Sequence, residues 1–128
     1  MSAVASGEDL VSFIGASFRS VWALELLCHL RKHPGTPRSR EELVESLRAS
    51  DLVVQTSVAE LMAVGLVSMD RKGQVTYAPA SADLDRLAGA VEAHYSKSPD
   101  AVRRIIIRSA NPGLTAFADA FRLGGDKE

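Results

Sequence analysis

Few side chains in this chain are spaced to do chemistry. Glu25, His29 and His33 recur every four residues, which turns all three to one helical face in a spacing that can hold zinc. No second cluster of ligands completes a tetrahedron, and histidines in a last helical turn suit the negative pole of the helix without any metal. Cys28 stands among leucines, where a thiol behaves as a small apolar side chain rather than a nucleophile. His94, Asp83, Asp85 and Glu92 show no pairing suited to acid–base work, and no glycine-rich loop is spaced to cradle phosphate. No enzymatic activity and no cofactor is expected. What remains is positive charge. Arg31, Lys32, His33, Arg38 and Arg40 fall within ten residues, and Arg48, Arg71 and Lys72 lie beyond them. Singly each is an ordinary solvated cation; together they can hold a row of phosphates.

The elements that position most of these charges lie in residues 39–79. Ser39 and Glu42 are spaced as a capping box, and Leu43 and Leu47 then fall on one face of a first helix. Ser50 and Asp51 suit the N-cap of a second helix, so the gap between the two is only a few residues. Val54, Val58 and Leu61 recur at i, i+4, i+7, the stripe of a helix that buries one side. Gly65 can take the left-handed conformation that ends it. The period then changes from helical to alternating. Val67 and Met69 point one way, Ser68 and Asp70 the other, and Val75 and Tyr77 alternate with Gln74 and Thr76. Arg71-Lys72-Gly73 makes the turn, and Pro79, which has no N–H to give, is expected to end the pairing.

A helix, a tight turn, a second helix and a hairpin with a basic glycine tip resemble the helix-turn-helix and wing of bacterial winged-helix regulators of the MarR-like type. The capped first helix, Val54 and Leu61 at their core places, and Gly65-Leu66-Val67 closing the second helix carry the likeness. It covers about a third of the chain directly. It implies a mainly α fold with a small β-hairpin, a winged helix-turn-helix with extra N- and C-terminal helices. By the same resemblance the protein is a dimeric, double-stranded-DNA-binding transcriptional regulator whose second motif helix meets the major groove. In the family, the outward positions early in that helix tend to be polar or basic. Here they are Asp51, Leu52, Val53, Gln55, Thr56, Ala59 and Glu60. Gln55 and Thr56 can read a base, glutamine toward adenine. Leu52 and Val53 offer methyl contacts, whereas Asp51 and Glu60 would face phosphates and repel them. Arg38, Arg40, Arg48, Arg71 and Lys72 take places that lie near the DNA backbone in this arrangement. The alternative is a winged-helix module without base readout that binds a protein through Leu52, Val53 and the C-terminal helices.

Length and composition fit one domain with a real core: 128 residues, 46% of them hydrophobic and 24% charged. A net charge of −1 means that any basic surface is local. The single cysteine excludes an internal disulfide framework and suits a reducing cytosol. No apolar run can span a bilayer, and residues 1–12 do not read as a signal peptide, so a cytoplasmic protein without membrane contact is expected.

The remaining elements flank the motif. Leu10, Phe13, Ile14 and Phe18 recur at helical spacing, and Gly15 marks either a break or a close contact. Val21 to Leu30 is apolar nearly all round, which predicts a central helix with Trp22 and Leu26 buried against Val58 and Leu61. Phe18 to Pro79 thus holds the winged-helix core. Ser81 can cap a helix whose stripe is Leu84, Leu87, Ala88, Val91 and Tyr95, and Ser98-Pro99 restarts it. Ile105, Ile106 and Ile107 suit either a helix or a strand. Residues 81–109 are expected to pair two copies through these stripes. After Asn111-Pro112-Gly113, residues 114–123 read as a short amphipathic helix whose Phe117 and Phe121 are candidates for docking a partner.

Overall fold

The structure, a computed structural model, describes residues 7–110. These form six helices and one two-stranded antiparallel sheet: α1 Gly7–Ser17, α2 Val21–Arg31, α3 Arg40–Leu47, α4 Asp51–Val64, β1 Val67–Met69, β2 Val75–Tyr77, α5 Ala82–Lys97 and α6 Pro99–Ala110. Mainly α with a small hairpin is therefore the fold class.

Local chemistry accounts for most boundaries. Ser39 Oγ accepts from the Glu42 N–H at 3.1 Å while Glu42 Oε1 accepts from the Ser39 N–H at 2.8 Å, the reciprocal box that starts α3. Arg48 ends α3 at φ 54°, a left-handed conformation that a side-chain-bearing residue adopts at a cost of about 1–2 kcal/mol. Ser50 Oγ accepts from the Val53 N–H at 3.1 Å, so only two residues separate Arg48 from the first turn of α4. Gly65, at φ 92°, turns α4 into β1. At the hairpin tip Asp70 Oδ1 accepts from the N–H groups of Lys72 and Gln74, both at 2.9 Å, and Gly73 takes the positive φ.

One strand-like pairing was not foreseen from the sequence. Arg38 and Val75 exchange backbone hydrogen bonds at 2.9 and 2.8 Å, which tethers the α2–α3 connection to β2. The paired strands end at Val67↔Tyr77, before Pro79, while Ala78 and Ala80 on either side of it still donate to Leu66 and Gly65 outside the ladder.

The core sits where α2 crosses α4. Leu24, Leu26, Leu27 and Leu30 of α2 are buried, as are Val54, Val58 and Leu61 of α4, Leu43 of α3, and Val75 and Tyr77 of the hairpin. Leu26, Val58 and Leu61 meet the expectation. Trp22 does not: it is 39% exposed, because it shares the outer face of α2 with Glu25. Gly15 breaks nothing; α1 runs through it to Ser17. A Cβ there would stand 2.6 Å from Ser109 Oγ, so the glycine permits close contact with α6. The chain turns at residues 18–20, and α1 and α2 diverge by 104°. Ala88 and Val91 of α5 and Val102 and Ile106 of α6 are buried, with Leu84, Tyr95 and Ile105 packed against the same core. The stripes of residues 81–109 are thus largely covered within the chain, and the three isoleucines are helical. Among the described residues no single helix is long and apolar enough to cross a membrane.

Candidate nucleic-acid interface

A groove of about 260 Å³ opens between the start of α3, the middle of α4 and the hairpin. Leu43, Val54, Val58 and Val75 form its apolar floor, and Ser39, Arg40, Glu41, Gln55, Met69 and Lys72 stand at its rim. The fold therefore gathers Arg40, Gln55 and Lys72, three of the residues singled out by sequence, and Arg71 is exposed beside Lys72 at the tip.

The other candidates lie apart from this groove. Thr56, though exposed, lines a second hollow with Arg19, Ala59 and Glu60. Arg38 contributes its backbone to the sheet and its charge to the end of α2. Partial burial first, and then the charges of Arg38 and Lys32, hold His29 below its usual range, which favours the neutral imidazole. Arg48 is exposed at the left-handed end of α3. Leu52 is 70% exposed and Val53 half-buried at the start of α4. Phe117 and Phe121 lie outside the described residues.

The two carboxylates of α4 behave differently from the sequence reading. Asp51 is paired, its Oδ1 3.2 Å from Arg40 Nε; both side chains are exposed, so the pair is worth about 0–1 kcal/mol and is easily exchanged. Glu60 does not face outward. It turns toward the α1–α2 corner, where its carboxylate is held by the Arg19 backbone and Oε1 is buried without a partner. Burial, only partly offset by Arg19, raises its pKa above the usual carboxylate range. The exposed positions of α4 are then Asp51, Leu52, Gln55, Thr56, Ala59, Met62 and Ala63, with Asp51 alone among them charged.

Glu25 accepts a hydrogen bond from the Tyr95 hydroxyl, which Arg103 also approaches at 3.2 Å, so it is engaged between α2, α5 and α6. Among the described residues no group of three or more His, Cys, Asp or Glu side chains is arranged to hold a metal. Burial, then the neighbouring Glu92 and Glu25, push the Cys28 thiol up to about 12, which keeps it protonated and a poor nucleophile.

Sequence reasoning missed the residues that orient the hairpin. Arg31, read as part of the surface basic patch, points inward. Its Nε donates to Glu92 Oε1 at 2.9 Å and its Nη1 to the Tyr77 hydroxyl at 2.9 Å and to Asp85 Oδ1 at 3.3 Å. The guanidinium also lies 5.2 Å from the Tyr77 ring centre. Tyr77 donates to Asp85 Oδ1 at 2.6 Å, and burial, reinforced by that hydrogen bond, pushes its phenol up to about 12. The knot joins α2, β2 and α5. Asp85, Gly89 and Glu92 at i, i+4, i+7 were the available signal: two acids flank a glycine whose Cβ would come within 3.1 Å of Arg31 Nη2.

No family model matches the chain, and no curated protein or solved structure matches it.

Proposed function

We propose that this chain is a winged-helix DNA-binding protein of the transcriptional-regulator type, anchored to double-stranded DNA through phosphates more than through base edges. The observation that carries the reading is the juxtaposition of Arg40, Gln55 and Lys72 around one groove, with Arg71 exposed at the hairpin tip. In this reading α4 is the recognition helix and β1–β2 the wing. Its Gln55 offers the paired donor and acceptor that suit adenine, and the neutral Leu52, Thr56 and Ala59 neither attract nor repel the backbone. Of the exposed acids near the groove, Asp51 has its own counter-ion in Arg40, while Glu41 stands on the rim with Arg40 and Lys72. Glu60, turned toward Arg19, is removed from the phosphates.

Residues 38–77 carry five cations (Arg38, Arg40, Arg48, Arg71, Lys72) against six carboxylates (Glu41, Glu42, Glu45, Asp51, Glu60, Asp70), so affinity must come from local placement. The proposal includes a homodimer, as the family resemblance implies. Its interface has to use surface outside the buried stripe of Ala88, Val91, Val102 and Ile106.

Replacing both wing cations, Arg71→Ala with Lys72→Ala, tests the reading. Binding should weaken by a similar factor on unrelated duplexes, as expected when phosphate contacts are lost. An unchanged affinity refutes it. A second reading rests on the exposure of Leu52 at the head of an uncharged helix face: a protein partner docked on Leu52 and Val53. Leu52→Ser distinguishes the two, since it removes the apolar contact without adding a charge that repels phosphate: partner docking should be lost and DNA binding kept.

A further inference from the structure

The exposed face of α4 has two flanks, and the cations named so far stand on one of them. At about 100° per residue, Leu52, Ala59 and Ala63 line up along the crest of the helix. Gln55 falls to one side, in the groove that Arg40 and Lys72 edge. Thr56 and Glu60 fall to the other side, toward the α1–α2 corner. There a hollow of about 410 Å³ opens between Ser17 and Arg19 of the corner and Thr56 and Ala59 of α4.

Arg19 supplies this second flank with a cation. Its side chain is exposed and, among the described residues, closes no salt bridge, unlike Arg31, Arg40, Arg86 and Arg103. The backbone beneath it is held in place. Phe18 is fully buried, and Ser20 Oγ caps α2 by accepting from the Ala23 N–H at 3.2 Å. The Glu60 carboxylate accepts from the Arg19 N–H, which ties the corner directly to α4. Glu60 Oε1 is buried while Arg19 is exposed, so it is the cation that meets solvent beside Thr56.

A helix with its side chains is about 10–12 Å across, and the major groove of B-DNA is about 12 Å wide. A helix seated there has one sugar–phosphate strand along each flank. Cations on a single flank neutralise one strand and leave the helix free to tilt away from the other. Phosphate contacts on both sides fix its orientation. Resting on the DNA-binding reading above, we propose that Arg19 anchors the second strand: with α4 in the major groove, Arg40 and Lys72 hold one backbone and Arg19 holds the other. The α1–α2 corner thereby joins a binding surface otherwise built from the two motif helices and the hairpin.

Binding of the full chain to mixed genomic DNA fragments, over a salt series from about 50 to about 200 mM, tests the assignment. Arg19→Gln keeps most of the side-chain length and removes the charge. Its affinity should fall several-fold at the lowest salt on unrelated duplexes, and its salt slope should be shallower by about 0.9, the loss of one phosphate contact. Arg19→Lys should keep the slope. Lys97→Gln makes the same charge change at the exposed end of α5 and should bind as the unaltered chain does. Thermal midpoints of all three should stay within about 2 °C of the unaltered chain, since the substituted side chains are exposed. If Arg19→Gln binds with unchanged affinity and slope while Arg71→Ala with Lys72→Ala weakens binding, the second anchor is overturned and the phosphate reading stands. Equal losses in Arg19→Gln and Lys97→Gln overturn it too, because net charge alone then explains them. If the unaltered chain does not bind, or the wing variant binds as well as it does, the DNA reading falls and Arg19's role falls with it.

Discussion

Arg31→Met keeps the aliphatic stem and removes the guanidinium that joins α2 to the hairpin and to α5. A hydrogen bond between charged partners contributes about 1.5–3 kcal/mol, but Glu92 keeps 37% of its side-chain surface and is resolvated when abandoned, which lowers the figure to about 1–2. Asp85, 56% exposed, is resolvated more easily and retains its bond from Tyr77, so its loss adds little. Losing the cation from the Tyr77 face adds about 0.5–1 kcal/mol. The expected destabilisation is about 2 kcal/mol. At about 4 °C per kcal/mol for a domain of this size, thermal unfolding followed by circular dichroism should fall by roughly 8 °C. Lys32→Met, an exposed neighbour outside the knot, is the control and should leave the midpoint within about 2 °C. Exchange at Val75 and Tyr77 should also accelerate in Arg31→Met, because β2 loses its tie to α2. Equal midpoints for the two variants would refute the inward role of Arg31.

Leu61, fully buried where α4 meets α2, should cost about 2–5 kcal/mol when cut to alanine, read as a fall in the urea midpoint without a change in slope. Glu60→Gln should raise the melting temperature at pH 7. A raised folded pKa contributes stability below the unfolded value of 4.5 that is lost as pH climbs through the folded one, so the ionised carboxylate is a net cost at neutrality. Tyr77 and Cys28, both pushed up to about 12, should make the protein lose stability as pH rises from about 9 toward 12, since the fold favours their protonated forms. Tyr77→Phe should flatten part of that loss when urea midpoints at pH 8 and pH 11 are compared.

The elements that were legible in the sequence are those set by near neighbours. Ser39 with Glu42, Ser50, Gly65, Gly73, Ser81 and Pro99 each act within about one turn, and the structure uses each at its expected place. The buried side of α4 followed from its periodicity. What escaped depends on which face a distant element covers. Trp22 reads as core in a helix apolar on most sides, yet its neighbours leave that face partly open. Arg31 reads as one cation in a basic run, while its partners Tyr77, Asp85 and Glu92 lie 46 to 61 residues away. Glu60 reads as outward because helical phase alone cannot reveal that the α1–α2 corner lies against it. Of the candidate site, the residue types were legible and their grouping was not: Arg40, Gln55 and Lys72 share a groove, whereas Thr56 turns to another hollow.

The phosphate-anchored reading is tested most directly by binding of the full-length protein to mixed genomic DNA fragments between about 50 and about 200 mM salt. Three to five cations, from Arg40 and Lys72 at the groove and Arg71 at the hairpin tip up to the set that adds Arg38 and Arg48 beyond them, would each release condensed counter-ions. The logarithm of affinity should then fall against the logarithm of salt with a slope of roughly −3 to −4.5 per chain. A slope flatter than about −1, or no binding at the lowest salt, would contradict it.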